Sequence, residues 1–295
     1  MADRTMEFTQ EQLISAGYKL KAAPRDAWRN YAEQDPIPGY FQFDWLSARH
    51  PDLYHQFALS TLGLMNELNK LVDLTGLDVL DVGAGTGRST IEAVKKAKKV
   101  IALDYYESVA SYGKEQVSRV GLKNVNYLLG DRNHLPLPDN CMDATICSWA
   151  ILNLEEAFRV LKPGGWLILL GAPLAALCGE LTPLLADVYP EIITEIAPPR
   201  QLDPACPDSD SVIQVDTWNG IPVAAPILVH DFTYVADYCN FNEAAAIFGR
   251  LYGPRAKSYM IDRRQSTLSW RLRITICRVN KPSLCRAISK NNDEC

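Results

Sequence analysis

From residue 77 onward the chain alternates short leucine-rich or β-branched runs with amphipathic stretches, and this texture predicts a parallel sheet with crossover helices. The expected strands cover 78–82, 99–103, 124–129, 144–148 and 166–170. The expected helices cover 86–97, 107–120 and 151–161, the last stopped by Pro163, Gly164 and Gly165. Near the other end, residues 267–279 alternate strictly between apolar and polar positions, which predicts a half-buried antiparallel closing strand.

Upstream of this region the pattern is looser. Residues 1–70 read as helices and loops rich in aromatics, among them Trp28, Tyr31, Tyr40, Phe41, Phe43, Trp45 and Tyr54. The segment 35–45 has loop or short-strand chemistry. Residues 55–71 carry Phe57, Leu59, Leu62, Leu64, Met65 and Leu68 near helical period, predicting one helix that packs on the sheet edge or covers a pocket. Downstream, 198–226 is rich in Pro, Asp and Ser and reads as a loop or insertion. A strand at 226–232 and a helix at 242–252 follow, and the tail beyond 281 is polar.

Composition narrows the picture. With 295 residues, 47% of them hydrophobic, the chain can bury a large core as one elaborated α/β domain or as a domain with a cap. A net charge of −5 provides no global positive field for a phosphate backbone, so a nucleic-acid partner is not expected. The first residues are charged throughout, and no run of some 18 apolar residues occurs, so the expectation is a soluble cytoplasmic protein without a membrane span. The cysteines at 141, 147, 178, 206, 239, 277, 285 and 295 form no C-x-x-C pair and have no histidine at ligand spacing. Reduced structural thiols are expected, with no metal site.

The segment VLDVGAGTGR, residues 79–88, runs an apolar strand into three alternating glycines and then a helix. Gly83, Gly85 and Gly87 let the backbone turn sharply and let a ligand lie against the main chain. A dinucleotide fingerprint would need its third glycine at position 88, where Arg88 stands, so a ligand without a pyrophosphate fits better.

The segment resembles the first motif of the class I, Rossmann-like S-adenosylmethionine-dependent methyltransferases, of the type 11/25-like domain. Further elements follow in the family's order: Asp104 at the end of the second strand, Gly130-Asp131-Arg132 after the third, Cys147-Ser148-Trp149 after the fourth, and RVLKPGG at 159–165. The resemblance implies a seven-stranded, mostly parallel sheet with an antiparallel closing strand, an N-terminal helical cap and a C-terminal insertion. It divides the chain into a cap at 1–70, a cofactor-binding core at 71–173, a substrate-cap insertion with closing strands at 174–280, and a tail at 281–295. It also implies S-adenosylmethionine as cofactor, held by Asp81, Gly83, Ala84, Gly85, Gly87, Asp104, Tyr105, Asp131, Arg132 and Ser148. Asp104 would accept the ribose hydroxyls, and Asp131 with the Arg132 N–H would meet the adenine edge. Trp149 walls the pocket, stacks on a substrate, or is a plain core residue. Only nine residues separate Trp149 from Arg159, so the fourth crossover helix is expected to be short.

The expected reaction is transfer of a methyl group to a small-molecule acceptor by in-line displacement, with positioning and desolvation as the protein's task. His134, His230 and Tyr40 are the weak candidates for a base. The alternatives are a protein or nucleic-acid methyltransferase, a non-catalytic cofactor-binding protein, and a nicotinamide oxidoreductase. The stretch Ser148-Trp149-Ala150-Ile151 stands where the macromolecular enzymes more often carry Asn/Asp-Pro-Pro-Tyr/Phe.

Overall fold

Five aliphatic runs build the parallel half of a sheet, in a computed structural model that describes Ser47 and residues 50–59, 61–171 and 209–281. They are β1 (Asp78–Val82), β2 (Lys99–Asp104), β3 (Val125–Leu129), β4 (Met142–Ser148) and β5 (Leu161–Gly171). Four more strands follow: β6 (Ser209–Ile213), β7 (Thr217–Trp218), β8 (Ile221–Asp237) and β9 (Thr267–Val279). The described helices are α1 (Pro51–Leu59), α2 (Gly63–Leu71), α3 (Arg88–Val94), α4 (Glu107–Arg119), α5 (Leu154–Val160) and α6 (Phe241–Arg263).

The strand order is β3-β2-β1-β4-β5-β9-β8-β6, with β7 paired to β8. Neighbours from β3 to β5 run parallel, and β9 returns antiparallel between β5 and β8. The seven strands expected are therefore present, and the short β6 and β7 extend them at β8. The order reverses between β1 and β4, and the carboxyl ends of these two strands are where open α/β sheets of this kind form their ligand crevice.

One core packs α1, α2, α3 and α6 on one face, with Phe57, Leu64, Leu68, Phe248 and Trp270 among its buried members. The other face carries α5 and a second core that includes Leu80, Leu103, Val160, Leu167 and Val279. Burying such side chains contributes roughly 1.5–3 kcal/mol each, which is why the parallel strands are aliphatic almost end to end.

Several elements depart from the sequence expectation. The helix expected at 55–71 is two helices; at the break the Thr61 hydroxyl donates to the Ala58 carbonyl at 3.0 Å. The helix expected at 86–97 begins only at Arg88, because Gly87 holds a left-handed φ of 93° and still belongs to the turn. Helix α5 ends at Val160, ahead of Pro163, and has the short length expected, 7 residues. Strand β5 starts early, and its pairing jumps from Leu161↔Met142 to Trp166↔Ala144 across the Pro-Gly-Gly turn.

The loop expected at 198–226 contains β6, β7 and the start of β8. Asn219 and Gly220, with φ of 48° and 83°, form the two-residue turn between Trp218 and Ile221. An Asn-Gly pair is the preferred chemistry for that turn, and it was hidden in a segment whose Pro, Asp and Ser content reads as loop. Helix α6 is twice the expected length because it restarts after a kink at Gly253, where Pro254 opens the second arm.

Candidate functional site

The glycine turn leaving β1 is held from several sides at once. Its glycines all have left-handed φ: 70° at Gly83, 58° at Gly85 and 93° at Gly87. At Gly83 the requirement is also steric, since a Cβ there would lie 2.4 Å from the Ala150 Cβ after β4. The N–H groups of Gly83 and Ala84 both donate to the Leu103 carbonyl, at 2.8 and 3.0 Å. The Gly85 N–H donates to Asp104 Oδ2 at 2.8 Å, so β1's turn is tied to β2's tip.

Two buried acids flank the turn. Asp81 is 0% exposed, and its Oδ2 accepts from the hydroxyls of Ser89 at 2.8 Å and Thr90 at 2.7 Å, both on α3. Its Oδ1 has no partner. Burial raises its pKa above the usual carboxylate value despite those two hydroxyls and the nearby Arg88 charge. Asp104 is also buried, and its Oδ1 accepts the Tyr106 N–H at 3.0 Å. Burial raises its pKa as well, against hydrogen bonds from the N–H groups of Tyr106, Gly85 and Tyr105. A carboxylate offers about four acceptor sites, so Asp104 retains capacity for further donors.

Tyr54, one of the aromatics noted in the sequence before residue 70, and other residues that the sequence did not mark complete the surroundings. Tyr54 of α1 lies over Gly85, its Cε1 3.7 Å from where a Cβ would be. His55 Nδ1 shares a 3.0 Å hydrogen bond with Thr86 Oγ1 inside the turn, and its ring lies 5.5 Å from that of Tyr112. Burial lowers the His55 pKa below 6.5, with a smaller push from the Arg119 charge. On the inner side the Tyr127 hydroxyl donates to the Gly85 carbonyl at 3.2 Å, and α4 approaches with Gly113. A glycine inside the amphipathic pattern of α4 is the one sequence signal for that approach.

The remaining expected residues are spread around this centre. Ser148, at the end of β4, accepts from Arg88, the first residue of α3. Asp131 accepts the Asn133 N–H at 2.8 Å in the loop after β3, beside Arg132. Tyr105 stacks edge-on against Tyr106 with ring centroids 5.9 Å apart. Trp149 takes a positive φ of 55°, is 38% exposed, and lies edge-on to Trp270 at 6.0 Å. Trp270 in turn meets Phe57 of α1 at 5.8 Å, so an aromatic chain links the mouth of the crevice to the first helix.

The described base candidates sit apart from the turn. The His134 side chain is 88% exposed, in the loop after β3. His230 lies on β8, three strands from β4 through the register Ser148↔Leu170↔Ile274↔His230, about 14 Å at about 4.8 Å per strand. It hydrogen-bonds Asp210 at 2.6 Å and stacks on Phe232. Tyr40 lies outside the described residues. Among the described thiols, Cys141, Cys147, Cys239 and Cys277 are free, and burial pushes Cys147 up to about 12 and Cys277 up to about 11, which keeps both unreactive. None of the described helices is long and apolar enough to cross a membrane.

Residues 80–169 match the family described as "Methyltransferase domain". The demethylmenaquinone methyltransferase of Lactococcus lactis is 35% identical over 108 residues, covering 33% of this chain and 43% of that protein. The ubiquinone/menaquinone biosynthesis C-methyltransferase of Pasteurella multocida is 38% identical over 106 residues, covering 32% and 40%. The chain thus spans less than half the length of these curated relatives. A crystal structure of a SAM-dependent methyltransferase from Aquifex aeolicus is 30% identical, covering 43% of this chain and 66% of that one, with a TM-score of 0.35.

Proposed function

We propose that this chain, whose residues 80–169 match a methyltransferase domain, is a class I, S-adenosylmethionine-dependent methyltransferase that transfers a methyl group to a small-molecule acceptor. The observation that carries the reading is the pair of buried acids, Asp81 and Asp104, on either side of the glycine turn. Two buried carboxylates repel a pyrophosphate and favour a ligand that brings hydroxyls and an ammonium group. The spare acceptor sites of Asp104 suit ribose hydroxyls, and the unpartnered Oδ1 of Asp81 suits a donor. When bound, S-adenosylmethionine supplies a methyl on a sulfonium, electrophilic enough for in-line displacement.

The chain's own residues then have positioning tasks. Asp104 orients the ribose, and Asp131 with the Arg132 N–H meets the adenine edge. Tyr54 and His55 of α1 roof the turn and exclude water from it. Trp149 presents an apolar face at the end of β4, where an acceptor would approach. The names of the two curated relatives, both quinone-pathway methyltransferases, support a small acceptor, and so does the net charge of −5, which does not favour a polyanion.

The test is methyl transfer from labelled S-adenosylmethionine into a cell extract, fractionated by size. Label in the low-molecular-weight fraction is expected. Label confined to protein or nucleic acid would overturn the acceptor class.

A further inference from the structure

At the amino ends of the parallel strands, away from the glycine turn, lies a groove of about 790 Å³. Strands β1 and β2 are 5 and 6 residues long, so roughly 16–20 Å of strand, at about 3.3 Å per residue, separates the groove from the turn at their carboxyl ends. The groove exists because the connection from β3 to β4, residues 130–141, contains no helix. The face of β2 and β3 that carries Ile101 and Leu103 therefore lacks the cover a parallel sheet normally receives. Its floor is apolar: Ile101 and Met142 are buried, and Leu137 is half-buried beside them. The Cys141 thiol lines it as well, and burial raises its pKa, which keeps it neutral.

The rim is basic, with Lys98 and Lys99 at the start of β2 and Lys123 ahead of β3. Lys99 is in register with Asp78, and Ile101 with Asn126, so three strands turn these side chains to one side. Asp78 lies 3.6 Å from Lys98 and 3.8 Å from Lys162, and Asp143 takes Lys162 at 2.8 Å. Two acids thus answer two lysines. Among the described residues Lys99 and Lys123 form no ion pair, and both are exposed. A local surplus of positive charge therefore stands on a chain whose net charge is −5. The backbone beneath it is fixed. The N–H groups of Lys98 and Lys99 donate to the Leu77 carbonyl at 2.9 and 3.4 Å, and Asn124 Nδ2 donates to the Val94 and Ala97 carbonyls at 3.1 and 2.9 Å.

A basic rim over an apolar floor matches a ligand with an anionic head and a hydrocarbon body. Lysine meets a phosphate or carboxylate as a point charge, and the volume of the groove lies in the range of small-ligand sites. We propose that this groove binds one molecule of an anionic amphiphile, its phosphate or carboxylate on Lys99 and Lys123 and its apolar part against Ile101, Leu137 and Met142. The site is separate from the glycine turn and does not depend on which ligand the turn takes.

The test is calorimetry on the full chain with dodecyl phosphate below its micellar concentration, and with dodecyltrimethylammonium and inorganic phosphate as controls. Dodecyl phosphate should bind about 10-fold more tightly than either, since the cation meets the lysines and the bare anion misses the floor. Lys99→Gln combined with Lys123→Gln, at two exposed positions, should weaken dodecyl phosphate binding about 10-fold and leave the urea midpoint unchanged. Bound dodecyl phosphate should also slow alkylation of Cys141 by iodoacetamide, read by mass spectrometry of the peptide that carries it. Equal binding of either control, undiminished binding in the double variant, or an unprotected Cys141 each overturns the proposal. Sedimentation with phosphatidylglycerol vesicles in the absence of binding to the monomeric amphiphile assigns the lysines to a lipid surface and overturns it as well.

Discussion

The Gly85 N–H and Asp104 Oδ2 are joined by a 2.8 Å hydrogen bond across 19 residues of sequence, so the side chain at the tip of β2 holds the backbone that leaves β1. Asp104 is therefore both a structural brace and, in the proposed function, a ligand contact. The two roles separate experimentally.

Asp104→Ala should lower the urea midpoint, since the Gly85 and Tyr106 N–H groups lose their acceptor. It should also weaken S-adenosylhomocysteine binding by about 1–3 kcal/mol through lost charge-assisted bonds. Asp104→Asn keeps one acceptor oxygen and should recover part of the stability. Unchanged nucleoside affinity in the Ala variant, measured by calorimetry, removes Asp104 from the ribose site.

Gly83→Ala should cost about 1–3 kcal/mol of stability, because an L side chain is disfavoured at a φ of 70° and its Cβ would meet Ala150 at 2.4 Å. Adding Ala150→Gly relieves the collision and leaves the backbone cost. The double variant should unfold at a midpoint between Gly83→Ala and wild type, and strict additivity of the two single changes would show that the side chains do not meet.

His55 supplies a pH dependence with a defined sign. Its pKa in the folded chain lies below 6.5, so the unfolded chain binds the proton more readily. The stability it contributes is complete above the unfolded value and is lost as the pH falls through the lower folded value. Urea midpoints of wild type and His55→Asn, compared from pH 7.5 downward, should converge on the acidic side. A constant difference across that range would mean that His55 does not titrate on unfolding.

Arg159 belongs to the RVLKPGG segment but works on the scaffold. It bridges Glu156 at 2.7 Å and Asp139 at 2.9 Å and donates to the carbonyls of Leu137 and Leu135. Those acids raise its pKa further. Arg159→Ala should cost about 1–2 kcal/mol, a partly exposed site being screened by solvent, and leave nucleoside affinity unchanged. A loss of affinity without a loss of stability would place it at the site instead.

What the sequence made legible was local. The strand ends carrying Asp81 and Asp104, the glycine turn and the 13-residue alternation of β9 each declare themselves within a few neighbours. What stayed hidden depends on distant partners. Tyr127 lies 42 residues from the carbonyl it holds, and His55 lies 31 residues from Thr86. The second arm of α6 lies beyond the helix expected at 242–252, because the chain kinks at Gly253 and Pro254 then starts a new helical arm. In β6, the loop-like residues around the strand outweighed five residues whose pairing with β8 is set by tertiary contacts.

The place of β9 has a consequence for how the chain comes off the ribosome. It is the last of the described strands to be synthesised, yet it lies inside the sheet, between β5 and β8. Until it emerges, both neighbours present unpaired edges, and about a hundred residues of β5-to-β9 chain must close into a loop before the ladder forms. Nascent chains arrested just short of Thr267 are therefore expected to aggregate more readily than chains released after Val279, a difference that pelleting of arrested and released chains would measure.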